Sequence, residues 1–509
     1  MLVSWLTVPL LVFSRWTRAG EIPVVGGILG GVPDLELSGV EGFLDATLGV
    51  NVATTPGKLR VVENSGVCET TPGVYQASGY GDLTATESIW FWFFAARKNP
   101  QNAPLVLWFN GGPGSSSMIG LFQENGPCRI TNDSSSVTLN PHSWNNEANV
   151  LYIDQPVGVG FSHGDLNVGT SQQAAADVWT FLQIFFKDER FAKYRINKLA
   201  LWTESYGGHY GPVFSAYFLR QNAAILEKKI SGITLNLQAL GIGDGLTVCP
   251  AIFNWTILLT NIFTYQDPLV QYPGYIAYAA ANPYHPLVSP EELAAGNTSW
   301  FTPVTGCRDR IIACNAPVWN TTVCSAAQSF CNNNILSPLA GIWDVYYVPT
   351  AEPDPYPPSF TTYINSVAST IGAETTWTSS NRNVYRNFSL TGDWMRNSRQ
   401  DLEFVINSGV RTIIYDGDAD YILNFNGVEA MVDKLETVWS PLYKRQKFAS
   451  YKVNGQVTGI FKNAGKFSYV RIYGAGHEVP AYTFGSLEVG QAAAQMFTQI
   501  MRDEGLRST

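Results

Sequence analysis

Short unbroken apolar runs alternate, along the first half of this chain, with stretches whose apolar residues recur at helical spacing. Runs at 73–80, 88–97, 104–109, 150–154, 198–202 and 234–241 predict strands, while 172–186 and 208–220 carry the helical period. Strands followed by helices predict an α/β fold: a mostly parallel central sheet, parallel in its later part, with helices on both faces and chemistry at the C-terminal ends of the strands. From 246 to about 386 the rhythm stops and Pro, Asn, Tyr, Trp and Cys accumulate, which predicts an inserted cap. It resumes with a helix at 397–408, strands at 411–415 and 469–473 and a closing helix at 487–502, so the core is expected to comprise residues 61–245 and 387–509.

Composition narrows the class. Of 509 residues, 45% are hydrophobic and 14% charged, and 32 basic against 41 acidic side chains leave a net charge of −9. The charged share is below the ~25% usual for globular proteins, the length supports a sizeable core, and the acidic balance without a basic cluster argues against a nucleic-acid partner. Residues 2–13 are apolar but shorter than the ~20 residues a membrane span needs, and Arg15 and Arg18 follow. We read residues 1–19 as a secretory signal, with an N-terminal core helix as the competing reading. Residues 20–60 form an arm or a short propeptide, and no later segment reads as membrane-spanning. Acceptor sequons at Asn132, Asn254, Asn297, Asn320 and Asn387 fit the secretory route, to an extracellular or vacuolar destination.

Of seven cysteines, Cys307, Cys314, Cys324 and Cys331 are separated by seven, ten and seven positions. That symmetry suits a nested pair of bridges, Cys307–Cys331 outside Cys314–Cys324, stapling the cap in an oxidising compartment. Structural zinc would bring cysteines in closer pairs. Cys68, Cys128 and Cys249 allow one further bridge, its members undetermined.

Three stretches carry candidate chemistry. In Leu201-Trp-Thr-Glu-Ser-Tyr-Gly-Gly-His-Tyr210 a strand meets a helix at Ser205, and Gly207 and Gly208 leave room for the sharp turn that exposes a nucleophile. Thr203 stands where such an elbow usually begins with glycine. In Thr412-Ile-Ile-Tyr-Asp416-Gly-Asp418-Ala-Asp420 three carboxylates follow a buried strand, and one could orient a catalytic histidine. The stretch imitates the start of a calcium loop but has Tyr421 and Gly427 where that loop needs Gly and Glu. Among His142, His163, His209, His285 and His477, the last is best placed as base: it sits on a small-residue loop after a strand, and nucleophile, acid, histidine is the chain order of an α/β-hydrolase. A third stretch, Leu105 to Ser117, runs from a strand into Asn110-Gly-Gly-Pro-Gly114, where backbone N–H groups can meet an oxyanion; the Lys-Ser/Thr of a phosphate loop is absent.

Together these stretches, with Asn149-Val-Leu-Tyr-Ile-Asp-Gln-Pro-Val-Gly-Val-Gly-Phe-Ser162 and Gly474-Ala-Gly-His-Glu-Val-Pro480, resemble the serine carboxypeptidases, and specifically a fungal-type secreted or vacuolar member. The resemblance runs in order from about Cys68 to near the C-terminus. It implies an α/β-hydrolase fold with Ser205, Asp420 and His477 as catalytic triad, Gly112 and Tyr206 as oxyanion hole, and Asn110, Gly111, Glu124 and Glu204 as receivers of the substrate's terminal carboxylate. It implies an enzyme needing no metal or other cofactor that releases C-terminal amino acids from peptides and proteins through an acyl-enzyme, best at acidic pH. The competing functions are acyl transfer on the same triad and a binding or protective protein with a vestigial site. Ser115 stands where the family often has cysteine.

Overall fold

The computed structural model describes residues 54–246, 268–316, 318–351 and 357–509, with the backbone of a small ladder pairing Val24–Val25 and Ile28–Leu29. The expected signal, most of the arm, Cys249 and Asn254 lie outside the described residues. One sheet of eleven strands organises the rest: β1 (Leu59–Glu63), β2 (Gln76–Asp82), β3 (Ser88–Phe94), β4 (Leu105–Phe109), β5 (Asn149–Ile153), β6 (Leu199–Glu204), β7 (Leu237–Gly243), β8 (Arg411–Gly417), β9 (Ala449–Val453), β10 (Gln456–Ala464) and β11 (Phe467–Ile472). Their spatial order is β9-β10-β11-β8-β7-β6-β4-β5-β3-β2-β1. From β5 to β11 in this order the six strands are parallel, and antiparallel strands flank them on both sides.

Strands β3 to β6 are buried at every position, and apolar at all but Ser88, Asn149, Thr203 and Glu204, because both faces of the sheet are covered. Phe91, Phe93, Leu105, Leu107, Phe109, Leu151 and Leu201 point to one face, into a core with Phe181 and Phe185 of α1 (Ser171–Phe185) and Phe214 of α2 (Gly207–Leu226). The residues between them, Trp90, Trp92, Val106, Trp108, Val150, Tyr152 and Trp202, point to the other. There Trp144 stacks on Phe497 of the C-terminal helix Gln491–Met501 at 4.2 Å and meets Trp202 edge-on at 4.8 Å. The period of two thus sorts the aromatic residues into two layers.

Helix α2 carries the elbow and contains Pro212. A proline there cannot donate to the carbonyl four residues back, that of Gly208. The Ser398 hydroxyl supplies the missing donor, 2.9 Å from Gly208 O.

Between β7 and β8 the described chain is helical: Pro268–Ala280, Pro290–Phe301, Cys307–Cys314, Thr321–Cys331, Thr361–Ile371 and Arg382–Thr391. Tyr275 and Tyr278 of the first of these donate to Ile422 O and Asp418 O at 2.8 Å each, which seats the insertion on the loop after β8. Cys307 is bonded to Cys331, Cys314 to Cys324, and Cys68 to Cys128. The helix Arg382–Thr391 runs through residue 386, where the sequence pattern places the return to the core.

Three strands of the eleven-stranded sheet were not expected. β1 is only half-buried, and the hairpin β9–β10 is exposed on one side. Its signal was Asn454-Gly455, whose φ values of 50° and 79° make the two-residue turn that joins such strands. The closing helix begins at Gln491, four residues later than its apolar pattern suggests, because Gly490 at φ 74° interrupts the backbone.

Candidate active site

Ser205 sits between the end of β6 and the start of α2 with φ 63°, a left-handed conformation that a serine adopts only where its surroundings impose it. Its N–H donates to Gly243 O at 3.0 Å, and its carbonyl accepts from Gly208 N at 2.9 Å and Leu246 N at 3.0 Å, so neighbouring strand ends pin the turn. Thr203 fits the tight corner: its hydroxyl donates to Gly207 O at 2.9 Å, and a Cβ on Gly207 would stand 2.5 Å from its own Cβ. The Ser205 hydroxyl is buried and has no hydrogen-bond partner among the described residues. Side chains of this kind come into register when substrate is bound.

Asp420 and His477 are brought together. His477 Nδ1 lies 2.8 Å from Asp420 Oδ2, both groups buried, and the His477 backbone donates to Tyr346 O at 2.9 Å. Burial raises the Asp420 carboxyl, opposed first by His477 and then by the N–H groups of Ile422 and Leu423. Asp418 is turned elsewhere, accepting from the Tyr284 hydroxyl at 2.5 Å and Gly474 N at 2.8 Å. Asp416 accepts from the Tyr469 hydroxyl at 2.7 Å. The three carboxylates of the calcium-like stretch therefore serve three different partners.

The glycine loop after β4 backs onto the elbow. A Cβ on Gly111 would stand 2.3 Å from Tyr206 N and 2.8 Å from Ser205 Cβ, so only glycine permits this approach. Gly112 adopts φ 101°. Tyr206 N precedes the first donor of the helix, which is Gly208 N. Tyr206 itself is held by its hydroxyl, which donates to Asp393 Oδ2 at 2.7 Å, and by its ring, stacked on His209 at 4.4 Å. Asp393 also accepts from the N–H and hydroxyl of Ser171 at the start of α1, a link with no signal in the sequence pattern.

Asn110, Glu124 and Glu204 meet beneath this loop, all fully buried. The amide oxygen of Asn110 accepts from Trp108 Nε1 at 2.7 Å and Gly120 N at 2.9 Å, which fixes its orientation. Its amide nitrogen consequently faces both glutamates, donating to Glu124 Oε1 at 3.2 Å and Glu204 Oε1 at 3.1 Å. Trp108 was not singled out from the sequence; its place one turn of strand before Asn110 was the available signal.

The other histidines are engaged elsewhere. His209 is buried between Leu246 O at 2.6 Å and Arg396 O at 3.2 Å, and burial lowers its pKa. His142 pairs with Glu488, His163 with Glu374, and His285 with Val348 O. Among the sequons, Asn132 is exposed, whereas Asn387 donates its amide to Leu166 O at 3.0 Å and Asn320 accepts from Val323 N at 3.1 Å as a helix cap. Asn297 donates to Leu293 O at 3.2 Å. No group of three or more metal-ligating side chains occurs among the described residues, and none of their helices is long and apolar enough to cross a membrane.

Comparison with known proteins gives one family. The model for serine carboxypeptidases matches residues 66–503. Carboxypeptidase S1 of Penicillium janthinellum is 39% identical over 457 residues, spanning 88% of this chain and 100% of that protein. Carboxypeptidase Y of Schizosaccharomyces pombe is 35% identical over 422 residues, 80% of this chain and 40% of that one. In fold, the prohormone-processing carboxypeptidase Kex1 of Saccharomyces cerevisiae superposes with a TM-score of 0.65 at 22% identity, covering 84% of this chain and 92% of its own. With the α/β sheet, the elbow and the Asp–His pair already described, these likenesses place the chain in the serine carboxypeptidase family, as a serine-type carboxypeptidase of α/β-hydrolase fold.

Proposed function

We propose that this carboxypeptidase removes C-terminal residues one at a time through an acyl-enzyme on Ser205. His477 accepts the proton of the attacking hydroxyl, and Asp420 holds the imidazole and stabilises its cation. The N–H groups of Gly112 and Tyr206 receive the oxyanion. The departing residue's carboxylate binds at Asn110, Gly111, Glu124 and Glu204. The observation that carries this reading is the Asn110 amide bridging two buried glutamates beside the Ser205 turn, a receiver for a carboxylate rather than for a chain that continues. Two such carboxyls do not both ionise cheaply, so one keeps its proton and donates a hydrogen bond to the substrate carboxylate, which favours acidic conditions. We further assign residues 246–386 to a cap over the site, residues 1–19 to a secretory signal and residues 20–60 to an arm or propeptide. The route is to the vacuole or the exterior, consistent with three disulfide bonds.

The test is incubation with an N-blocked dipeptide at acidic pH. Release of the free C-terminal amino acid is expected. Product formed only with an added acyl acceptor would make the protein a transferase, and no turnover would leave a binding role.

A further inference from the structure

The turn Asp393–Met395 and the residues after it, which follow the helix Arg382–Thr391, lie across the first turn of α2 and grip it at three positions. Asp393 Oδ2 accepts from the Tyr206 hydroxyl at 2.7 Å, the Ser398 hydroxyl donates to Gly208 O at 2.9 Å, and Arg396 O lies 3.2 Å from His209 Nε2. His209 Nδ1 stands 2.6 Å from Leu246 O, so its ring is fixed at both nitrogens. On that fixed surface the Tyr206 ring stacks at an interplanar angle of 7°.

Asp393 is itself anchored without the help of Tyr206. Its side chain is buried, and the oxygen that meets the Tyr206 hydroxyl also accepts from the N–H of Ser171 at 3.1 Å and from the Ser171 hydroxyl at 2.7 Å. Ser171 opens α1, where a backbone N–H has no partner inside the helix and the positive end of the dipole favours a carboxylate. Arg396 Nε stands 3.8 Å from the other oxygen. The Tyr206 hydroxyl is thus tethered to a fixed point. The consequence falls on the peptide bond between Ser205 and Tyr206, whose plane carries the N–H assigned to the oxyanion hole. On the Ser205 side that plane is pinned by Gly208 N and Leu246 N, which donate to Ser205 O at 2.9 and 3.0 Å. On the Tyr206 side the tether through the ring holds the residue.

We propose that Asp393 is a positioning residue for the reaction: by accepting the Tyr206 hydroxyl it holds Tyr206 so that the backbone N–H of that residue stays aimed at the oxyanion. The inference rests on the assignment of Ser205 as nucleophile and of Tyr206 N–H to the oxyanion hole. It separates two parts of one residue, since the N–H meets the reacting oxygen while the phenol acts only through Asp393. Tyr206→Phe removes the tether and leaves Asp393 its two Ser171 donors. Asp393→Asn keeps an acceptor oxygen for Tyr206, whereas Asp393→Ala keeps none.

These three variants, the Tyr206→Phe/Asp393→Ala double variant and the wild type are compared on a blocked dipeptide at acidic pH, with kcat taken per site titrated by a phosphonylating reagent. Each also receives a blocked amino aldehyde, which forms a tetrahedral adduct with a serine nucleophile, and the matching alcohol, which forms none. Removing an oxyanion donor costs about 10²- to 10³-fold, and a donor that is kept but misaimed loses part of that, so Tyr206→Phe is expected to lower kcat roughly 10-fold with KM unchanged. Aldehyde affinity should fall by the same factor and alcohol affinity should not change. Asp393→Ala should match Tyr206→Phe, the double variant should lose no more than either, and Asp393→Asn should stay within about threefold of the wild type. Wild-type kcat in Tyr206→Phe overturns the proposal, as does a change confined to KM, which would mean that the phenol touches substrate. Losses that add in full in the double variant overturn it too, because Asp393 would then act elsewhere. If Asp393→Ala does not fold, Tyr206→Phe and Asp393→Asn decide. Failure of the underlying reading is separately visible: the wild type would then bind the aldehyde no more tightly than the alcohol.

Discussion

Glu204→Gln isolates the charge that the carboxylate receiver can carry. Glu124 Oε1 and Glu204 Oε1 lie 3.2 and 3.1 Å from the same nitrogen of Asn110 and are therefore at most about 6 Å apart. A substrate carboxylate entering this space meets one negative charge when the pair holds a proton and two when it does not. One additional unit charge at ~6 Å and an effective dielectric of ~20 costs about 3 kcal/mol. That corresponds to a roughly 100-fold rise in KM once the pair loses its proton. Gln at 204 keeps a donor at every pH and removes the titration, so KM for free-acid substrates should stay flat where the wild type's climbs. The assay is KM against pH for a matched pair of blocked dipeptides, one ending in a free carboxylate and one amidated. The amide substrate needs no donor, so its KM should not follow the climb in either enzyme. Identical pH dependence for acid and amide substrates in the wild type would refute the carboxyl-pair account, as would a Glu204→Gln profile that still rises.

Ser205→Ala should lower kcat by roughly 10⁶-fold while the melting temperature and peptide binding change little, and a phosphonylating reagent should label Ser205 in the wild type and nothing in the variant. Non-reducing peptide mapping should recover Cys68 with Cys128, Cys307 with Cys331 and Cys314 with Cys324; a fragment joining Cys307 to Cys314 contradicts the nesting. Glu69 predicts an acid-sensitive anchor: burial alone would raise its carboxyl, but the Thr71 N–H, the Asn145 amide and the Arg97 guanidinium outweigh it and hold the group below the usual carboxylate range. A lowered folded value stabilises above the unfolded value of about 4.3 and is lost as pH falls through the folded one. Glu69→Gln should thus cost about 2 kcal/mol at pH 6, with the gap to wild type closing below about pH 4 in thermal melts.

What could be read from the chain and what could not divide along a physical line. Ser205 and His477 were legible because each lies where a buried run ends in small residues, and backbone conformation there is set by neighbours in sequence: Gly207 and Gly208 after the serine, Gly474 and Gly476 around the histidine. The order of strands and helices was legible for the same reason, as was the symmetry of the four cysteines. Asp420 is singled out from Asp416 and Asp418 only by the resemblance to the family; the residues around the three carboxylates do not rank them. Their difference is made by Tyr469, Tyr284 and His477, which reach them from elsewhere in the fold. Glu124 lies on a single tight turn, Gly120–Glu124, whose sequence has no period to recognise, and it acquires its partner only because Trp108 and Gly120 N orient the Asn110 amide. Asp393 carries no signal in the sequence for a stronger form of the same cause, since its partners stand 187 to 222 residues away. A sequence pattern specifies how the backbone bends at a site, whereas the protonation states that make the site work come from groups facing one another across strand ends. For this reason the second carboxyl of the buried glutamate pair, and not the nucleophile, is where variants will separate a working account of the enzyme from a merely recognisable one.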